Sequence, residues 1–410
     1  MINRRTILAG GASALPLAGL RPARAQAAPT IRIGILNDQS GAYRTNGGPG
    51  SVACARLALK EFGEANGVKA EILVADHQGK ADVGLGIARR WFDQDDVDVV
   101  MDFQNSAIAL AVANLAKERD KIAMVCNAGT TDLTGRACSP NTMHWAYDTY
   151  MLARVTGGAL VKAGGDTWYF ITADYAFGHS LEREASAFVQ KAGGRIVGNT
   201  RLPFPSTDFA SALVQAQGSR AKVIGLANAG TDLVNCVKQA AEFGVTRRGT
   251  RLAGLLIQIN DIHGLGLAAA QGLTLCESFY WDLNDRTRAF TSRVLPTMDG
   301  ARPNMSQAAC YSATLHYLRA CASMGAGEAK KSGRAVLERL RAAPMEDDVF
   351  GTSTLRADGR VLHTAYLFEV KRPEESKGSW DYYKTIASVP PEEAFRPMAE
   401  GGCTLPGVAR

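Results

Sequence analysis

The residues best placed to do chemistry form the run CNAGTTDLTG, Cys126 to Gly135, which follows the apolar stretch IAMVC. Thr130 and Thr131 can donate hydroxyls, and Gly129 lets a ligand approach the backbone. A phosphate there would lack its usual countercharge, because no lysine or arginine lies between 122 and 135. A carboxylate, smaller and singly charged, fits better. Asn105 and Ser106 close the preceding apolar run VDVVMDF and open a helical pattern, so they can donate from the adjacent loop. Both pairs have a second reading, in which Asn, Ser and Thr cap their own helix ends. Their place on consecutive strand ends favours an anion site. Tyr43, Phe103, Trp145, Tyr147, Tyr175 and Phe177 fall at other strand ends. Any one of them could plug a core. Six together, in a chain only 7% aromatic, suit an apolar pocket with a few polar anchors.

Other chemistries find little support. There is no P-loop, no HExxH and no GxSxG. Gly264-Leu265-Gly266 lacks the third glycine and the acidic partner of a dinucleotide site. His179 and Ser180 lie near Asp174, but neighbours in sequence do not make a triad. No catalytic residue and no cofactor is expected. The six histidines are scattered and none of the eight cysteines forms CxxC, so no metal site is expected either. Cys126, Cys236, Cys276 and Cys310 sit in apolar runs and read as buried thiols. Cys138 and Cys403 sit in the polar segments GRACSPN and EGGCTLP and are expected to pair.

The elements that must position these residues alternate along the chain. Strand patterns at 31–36, 70–76, 97–103 and 121–126 alternate with helical patterns at 50–62, 80–94 and 106–119. A second series has strands at 167–174, 193–198, 222–228, 250–257 and 272–281, with helices at 178–192 and 232–243. Repeated βα units imply parallel sheets with helices on both faces, and two such series imply two lobes with a cleft between them. The chain after 281 reads as mostly helical and ends in a strand pair, HTAYLFEVK and WDYYKTI, that folds back onto the lobes. In such sheets, ligands bind beyond the carboxyl ends of the strands.

Composition sets the class. The 410 residues are 46% hydrophobic and 21% charged, normal for a globular protein. The formal charge of +6 owes four units to Arg4, Arg5, Arg21 and Arg24. No basic stripe with interleaved aromatics follows, so nucleic acid is not an expected partner. Residues 1–27 read as a signal peptide, with Arg4-Arg5 resembling a twin-arginine export signal and small-x-small cleavage points near Ala25. That places the protein in the periplasm.

On the stretches GILNDQSGAY, SVACARLALKEF, NSAIALAV, NAGTTDLTG, ADYAFGHSLER and LRADGRVLHTAYLFEVK, the chain resembles the periplasmic solute-binding proteins of branched-chain amino acid-type ABC transporters. The resemblance covers residues 30–400. It implies an α/β fold of two Rossmann-like lobes with parallel sheets, joined by a three-strand hinge: the type I periplasmic binding fold. Lobe I would take 28–147 and 279–363, and lobe II 148–278 and 364–410. It also implies that Ser106 and Thr130 hold the ligand carboxylate, with Asn105, Ala128 and Gly129 beside them. Phe177 and Tyr175 would pack on the ligand from lobe II, and Tyr43 would cover it from lobe I. One departure stands out. The glutamate that holds an α-ammonium in amino acid-binding members falls at Leu256, Ile257 or Gln258, and the loop LANAGTDL lacks the family's aromatic pair. Asp174, Asp232 and Asp261 are the remaining candidates for that role. The implied function is a monomeric receptor that delivers a small carboxylate, an aromatic acid or a hydrophobic amino acid, to an inner-membrane ABC permease. A sensor of the same fold and a periplasmic hydrolase are the alternatives.

Overall fold

A computed structural model describes residues 29–408. The leader expected over 1–27 lies outside them. The first sheet has the order β2-β1-β3-β4-β5, all parallel: β1 Ile31–Asn37, β2 Ala70–Asp76, β3 Val99–Asp102, β4 Ile122–Val125 and β5 Thr142–His144. Its central strands are continuous apolar runs because helices cover both faces, whereas edge strand β2 is only half-buried. On one face α1 (Gly48–Phe62) packs along the helix Met305–Met324. Small buried residues on both, Cys54, Ala55 and Ala58 against Ala309, Cys310 and Ala313, allow the close approach. On the other face α2 (Ala81–Asp93) and α3 (Ser106–Glu118) bury Trp91, Ile108 and Val112.

The second sheet repeats the pattern in the order β7-β6-β8-β9: β6 Thr167–Ala173, β7 Arg195–Leu202, β8 Val223–Ala227 and β9 Arg251–Gly254. The strand expected over 250–257 ends at Gly254, because the residues that follow turn into the space between the lobes. Beside this sheet stands an antiparallel one, β10-β14-β15, from Thr274–Glu277, Ala365–Val370 and Tyr383–Val389. It shares the second lobe's core through Leu275, Phe368 and Tyr383. A small antiparallel sheet of β11 Met345–Asp347, β12 Gly351–Leu355 and β13 Val361–Leu362 was not legible in advance. Its strands are too short to show a period.

The chain passes between the lobes three times, after β5, after β10 and before β14. The tail, expected with lobe II, then departs from it. Phe395 packs edge-on against His363 at 5.3 Å, Arg396 donates to the Thr131 carbonyl at 3.0 Å, and Cys403 is disulfide-bonded to Cys138. These contacts carry the last residues back onto the first lobe. Cys126, Cys236, Cys276 and Cys310 are buried free thiols.

Glu277 ends β10 at the second passage and is fully buried. It accepts from Tyr383 Oη at 2.7 Å and from the Met305 N–H at 3.4 Å. Burial pushes its carboxyl from the ordinary 4.5 to about 8, with the Asp261 charge adding to the rise. The folded form therefore holds a proton that the unfolded chain has already released, and stability falls as pH rises between those two values. Glu277→Gln is expected to flatten that fall. Urea unfolding at pH 5 and pH 8 checks it. A wild-type slope retained in the variant would assign the loss to other groups.

Candidate functional site

The loops at the carboxyl ends of the strands meet in a cavity between the lobes. After β1, the Asp38 carboxylate accepts the N–H groups of Ser40, Gly41 and Tyr43, and this winds the loop so that Tyr43 faces the second lobe. After β3, Asp102 and Phe103 take positive φ values of 83° and 58°, and the turn brings Gln104 inward. The first lobe contributes Tyr43, Asn46, Gln104, Asn127 and Tyr147 to the lining. The second contributes Tyr175, Phe177, Ala229, Leu256 and Gln258. None of the ten carries a charge.

The lobes are closed. Tyr43 and Tyr175 share a hydrogen bond between their hydroxyls at 2.6 Å, and Tyr43 stacks on Phe204 with centroids 4.8 Å apart. Asn46 Nδ2 donates to Gln258 Oε1 at 3.0 Å, and Gln258 Nε2 to Ser306 Oγ at 2.7 Å. Thr131 Oγ1 donates to Glu184 Oε1 at 2.9 Å. Closure leaves a narrow space, on the order of one water molecule. A ring can enter only if the lobes part or the aromatic side chains swing. Burial pushes the Tyr43, Tyr147 and Tyr175 hydroxyls well above their ordinary value, so all three stay protonated.

Tyr43, Tyr147, Tyr175 and Phe177 thus line the cavity. Phe103 and Trp145 do not: both are core residues, Trp145 donating to Ser312 Oγ at 3.0 Å. Asn105, Ser106, Ala128, Gly129 and Thr130 stand behind the lining rather than in it. Asn105 Oδ1 caps α3 by accepting from Ala107 and Ile108, and Ser106 Oγ accepts the Thr130 N–H at 3.3 Å. Thr130 Oγ1 accepts the Asp132 N–H at 3.3 Å. The Ala128 carbonyl faces His144 Nε2 at 2.7 Å. Gly129 acts by its size: a Cβ there would lie 2.9 Å from the Tyr147 ring and 3.0 Å from that of Phe177. These residues shape the loops on which the lining stands.

Leu256 and Gln258 fall in the segment where the resemblance set the family's ammonium-holding glutamate, whereas the lining residues Asn46, Gln104, Asn127 and Ala229 were missed in the sequence. No local motif marks them. The candidate ammonium partners are engaged elsewhere. Asp174 pairs with His179 Nε2 at 2.7 Å near the surface. Asp232 accepts from Ser206, and Asp261 from Asn46 and Gln258. Burial raises Asp232 to about 7 and both Asp261 and Asp102 to about 6, so near neutral pH Asp232 is partly protonated while the other two keep most of their charge. Ser180 Oγ meets Thr149 Oγ1 at 2.7 Å and not His179, so the hydrolase constellation is not assembled. Among the described residues no cluster of His, Cys, Asp and Glu could hold a metal, and no helix is long and apolar enough to cross a membrane.

The model of a family described as periplasmic binding protein matches residues 30–379. The crystal structure of a periplasmic binding protein from Burkholderia mallei is 41% identical, with a TM-score of 0.87 over 92% of this chain and 99% of that one. A branched chain amino acid ABC transporter periplasmic ligand-binding protein from Burkholderia xenovorans is 35% identical, with a TM-score of 0.80 over 92% and 99%. At 20% identity, a solute-binding protein of an ABC transporter from R. palustris, in complex with benzoate, shares the fold, with a TM-score of 0.79 over 92% and 100%. The Leu/Ile/Val-binding protein homolog 6 of Brucella melitensis is 22% identical over 256 residues. That match spans 62% of this chain and 65% of the relative's length.

Proposed function

The chain belongs to the periplasmic binding protein family, and from that premise we propose that it is the extracytoplasmic receptor of an ABC importer, capturing an aromatic monocarboxylate between two closing lobes and delivering it to an inner-membrane permease. The charge-free lining carries the choice of ligand class. An α-ammonium buried there would have no acid to pair with, at a cost of several kcal/mol. That exceeds the roughly 0.5–1.5 kcal/mol gained from one ring contact. A carboxylate is better served. Helices starting at Gly48, Ser106, Ala176 and Gly230 follow β1, β3, β6 and β8, and their positive ends converge on the cleft. Ser106, Thr130 and Asn105 hold the loops that present those ends. The four aromatic rings supply the apolar contact.

Titration calorimetry on refolded, ligand-free protein tests the ligand class. A benzoate- or cinnamate-type acid is expected to bind more tightly than leucine or valine. Micromolar or tighter leucine binding, with no heat from any aromatic acid, would sink the reading. The same samples in solution scattering should contract on saturation, because Tyr43 and Tyr175 come from opposite lobes.

A further inference from the structure

Building on the carboxylate-receptor reading, we infer that the ligand carries a hydroxyl besides its carboxylate, and that Gln104 and Asn46 recognise the two groups. Two buried side-chain atoms of lining residues lack a protein partner: Gln104 Nε2 and Asn46 Oδ1. Each amide is oriented by its other end. Gln104 Oε1 accepts the Asp38 backbone N–H at 2.8 Å and faces His77 Nε2 at 3.1 Å. His77 Nδ1 accepts the Gly79 N–H at 3.0 Å, so the ring proton sits on Nε2 and also goes to Gln104 Oε1. The free end of Gln104 is therefore its nitrogen, a donor.

Asn46 is held the opposite way. Its Nδ2 donates to Gln258 Oε1 at 3.0 Å and to Asp261 Oδ2 at 3.2 Å. The Asp261 carboxylate can only accept, so it fixes which end of Asn46 is the nitrogen, and the Gln258 nitrogen is in turn occupied by Ser306 Oγ at 2.7 Å. The free end of Asn46 is therefore its oxygen, an acceptor. Buried polar groups left unmatched are rare and costly. A fitting ligand supplies one acceptor and one donor.

The carboxylate supplies the acceptor for Gln104. Gly47 leaves room for the amide itself: a Cβ on it would fall 1.9 Å from Gln104 Nε2. An ionised carboxylate has no hydrogen for Asn46 Oδ1, and neither has a bare ring. A ring hydroxyl has one. An ammonium would bring three hydrogens and a charge to a single free acceptor. The ligand class is thus a hydroxylated aromatic monocarboxylate.

The test is calorimetry of the refolded chain against benzoate, its hydroxy derivatives and its methyl derivatives of the same outline. A hydroxybenzoate is expected to bind at least about tenfold more tightly than its methyl counterpart. Asn46→Ala should erase that difference. Gln104→Glu keeps the oxygen that faces Asp38 but replaces the N–H with a second carboxylate oxygen, and should weaken every acid about a hundredfold. Circular dichroism checks each variant's fold, and the wild-type ligand series decides the matter alone if a variant does not fold. Equal affinity of wild type for hydroxy and methyl acids, or a preference that survives in Asn46→Ala, would overturn the inference and leave the carboxylate reading standing. No heat from any aromatic acid would overturn that reading itself.

Discussion

Arg360→Met is expected to lower the unfolding free energy by about 3–5 kcal/mol. The guanidinium is fully buried at the place where the chain first passes between the lobes. Its Nη1 donates to the Tyr147 carbonyl at 3.0 Å, Nη2 to that of Trp145 at 2.9 Å, and Nε to that of Val361 at 3.1 Å. Asp148 Oδ2 lies 3.7 Å from Nη1, and the Phe395 ring lies 4.2 Å below the guanidinium carbon. Burial lowers the arginine's pKa to about 10, so it keeps its charge near neutrality. Methionine matches the apolar stem but stops near the position of Nε and offers no donor. The Tyr147 and Val361 carbonyls would lose these bonds, and Asp148 would lose its countercharge. Arg360→Lys keeps the charge but not the planar fork, so an intermediate loss is expected. Binding should suffer with stability, because Tyr147 lines the cavity and its carbonyl is one of the three that Arg360 holds. The shift in urea midpoint reads the effect. A loss under about 1 kcal/mol would mean that other donors satisfy those carbonyls.

The contrast between what the sequence reveals and what it hides has a physical basis. Strands β3, β4, β6 and β8 were legible because burial on both faces demands unbroken apolar runs. The aromatic residues at strand ends were legible as a group, yet only Tyr43, Tyr147, Tyr175 and Phe177 reach the cavity. Phe103 and Trp145 took the other course open to a large ring and became core. Hydroxyl and amide side chains were harder. Ser106 and Thr130 have the right types for an anion site, but a side chain that can bind a ligand can equally satisfy its own loop. Gln104 and Asn46 gave no local signal, because an amide's role depends on which of its ends the fold occupies. Here those ends are occupied by Asp38, 66 residues from Gln104, and by Gln258, 212 residues from Asn46. The pairing of Cys138 with Cys403 was open to reading because both lie in polar segments, whereas the route of the tail was not. No sequence period tells which lobe a segment of short turns will follow.

That route makes the second large effect a matter of the tail. Strand β15 belongs to the second lobe, and Cys403, only 14 residues beyond its last residue Val389, is bonded to the first. The tail is therefore a further tie between the lobes beside the three passages. Phe395 fills the space between His363 and Arg360, Arg356 donates to the Arg396 carbonyl at 2.8 Å, and Arg396 donates to the Thr131 carbonyl. The disulfide closes a sequence separation of 265 residues, so it removes much freedom from the unfolded chain. Replacing both cysteines with serine is expected to cost about 2–4 kcal/mol of stability. It should also free the tail beyond Arg396, and the ligand-free protein should then open wider in solution scattering while the saturated form keeps its radius. Both effects should appear in the oxidised wild type after the bond is reduced. An unchanged ligand-free radius alongside a lowered stability would mean that Phe395 and Arg396 alone limit the opening, and that the bond serves only to hold the fold.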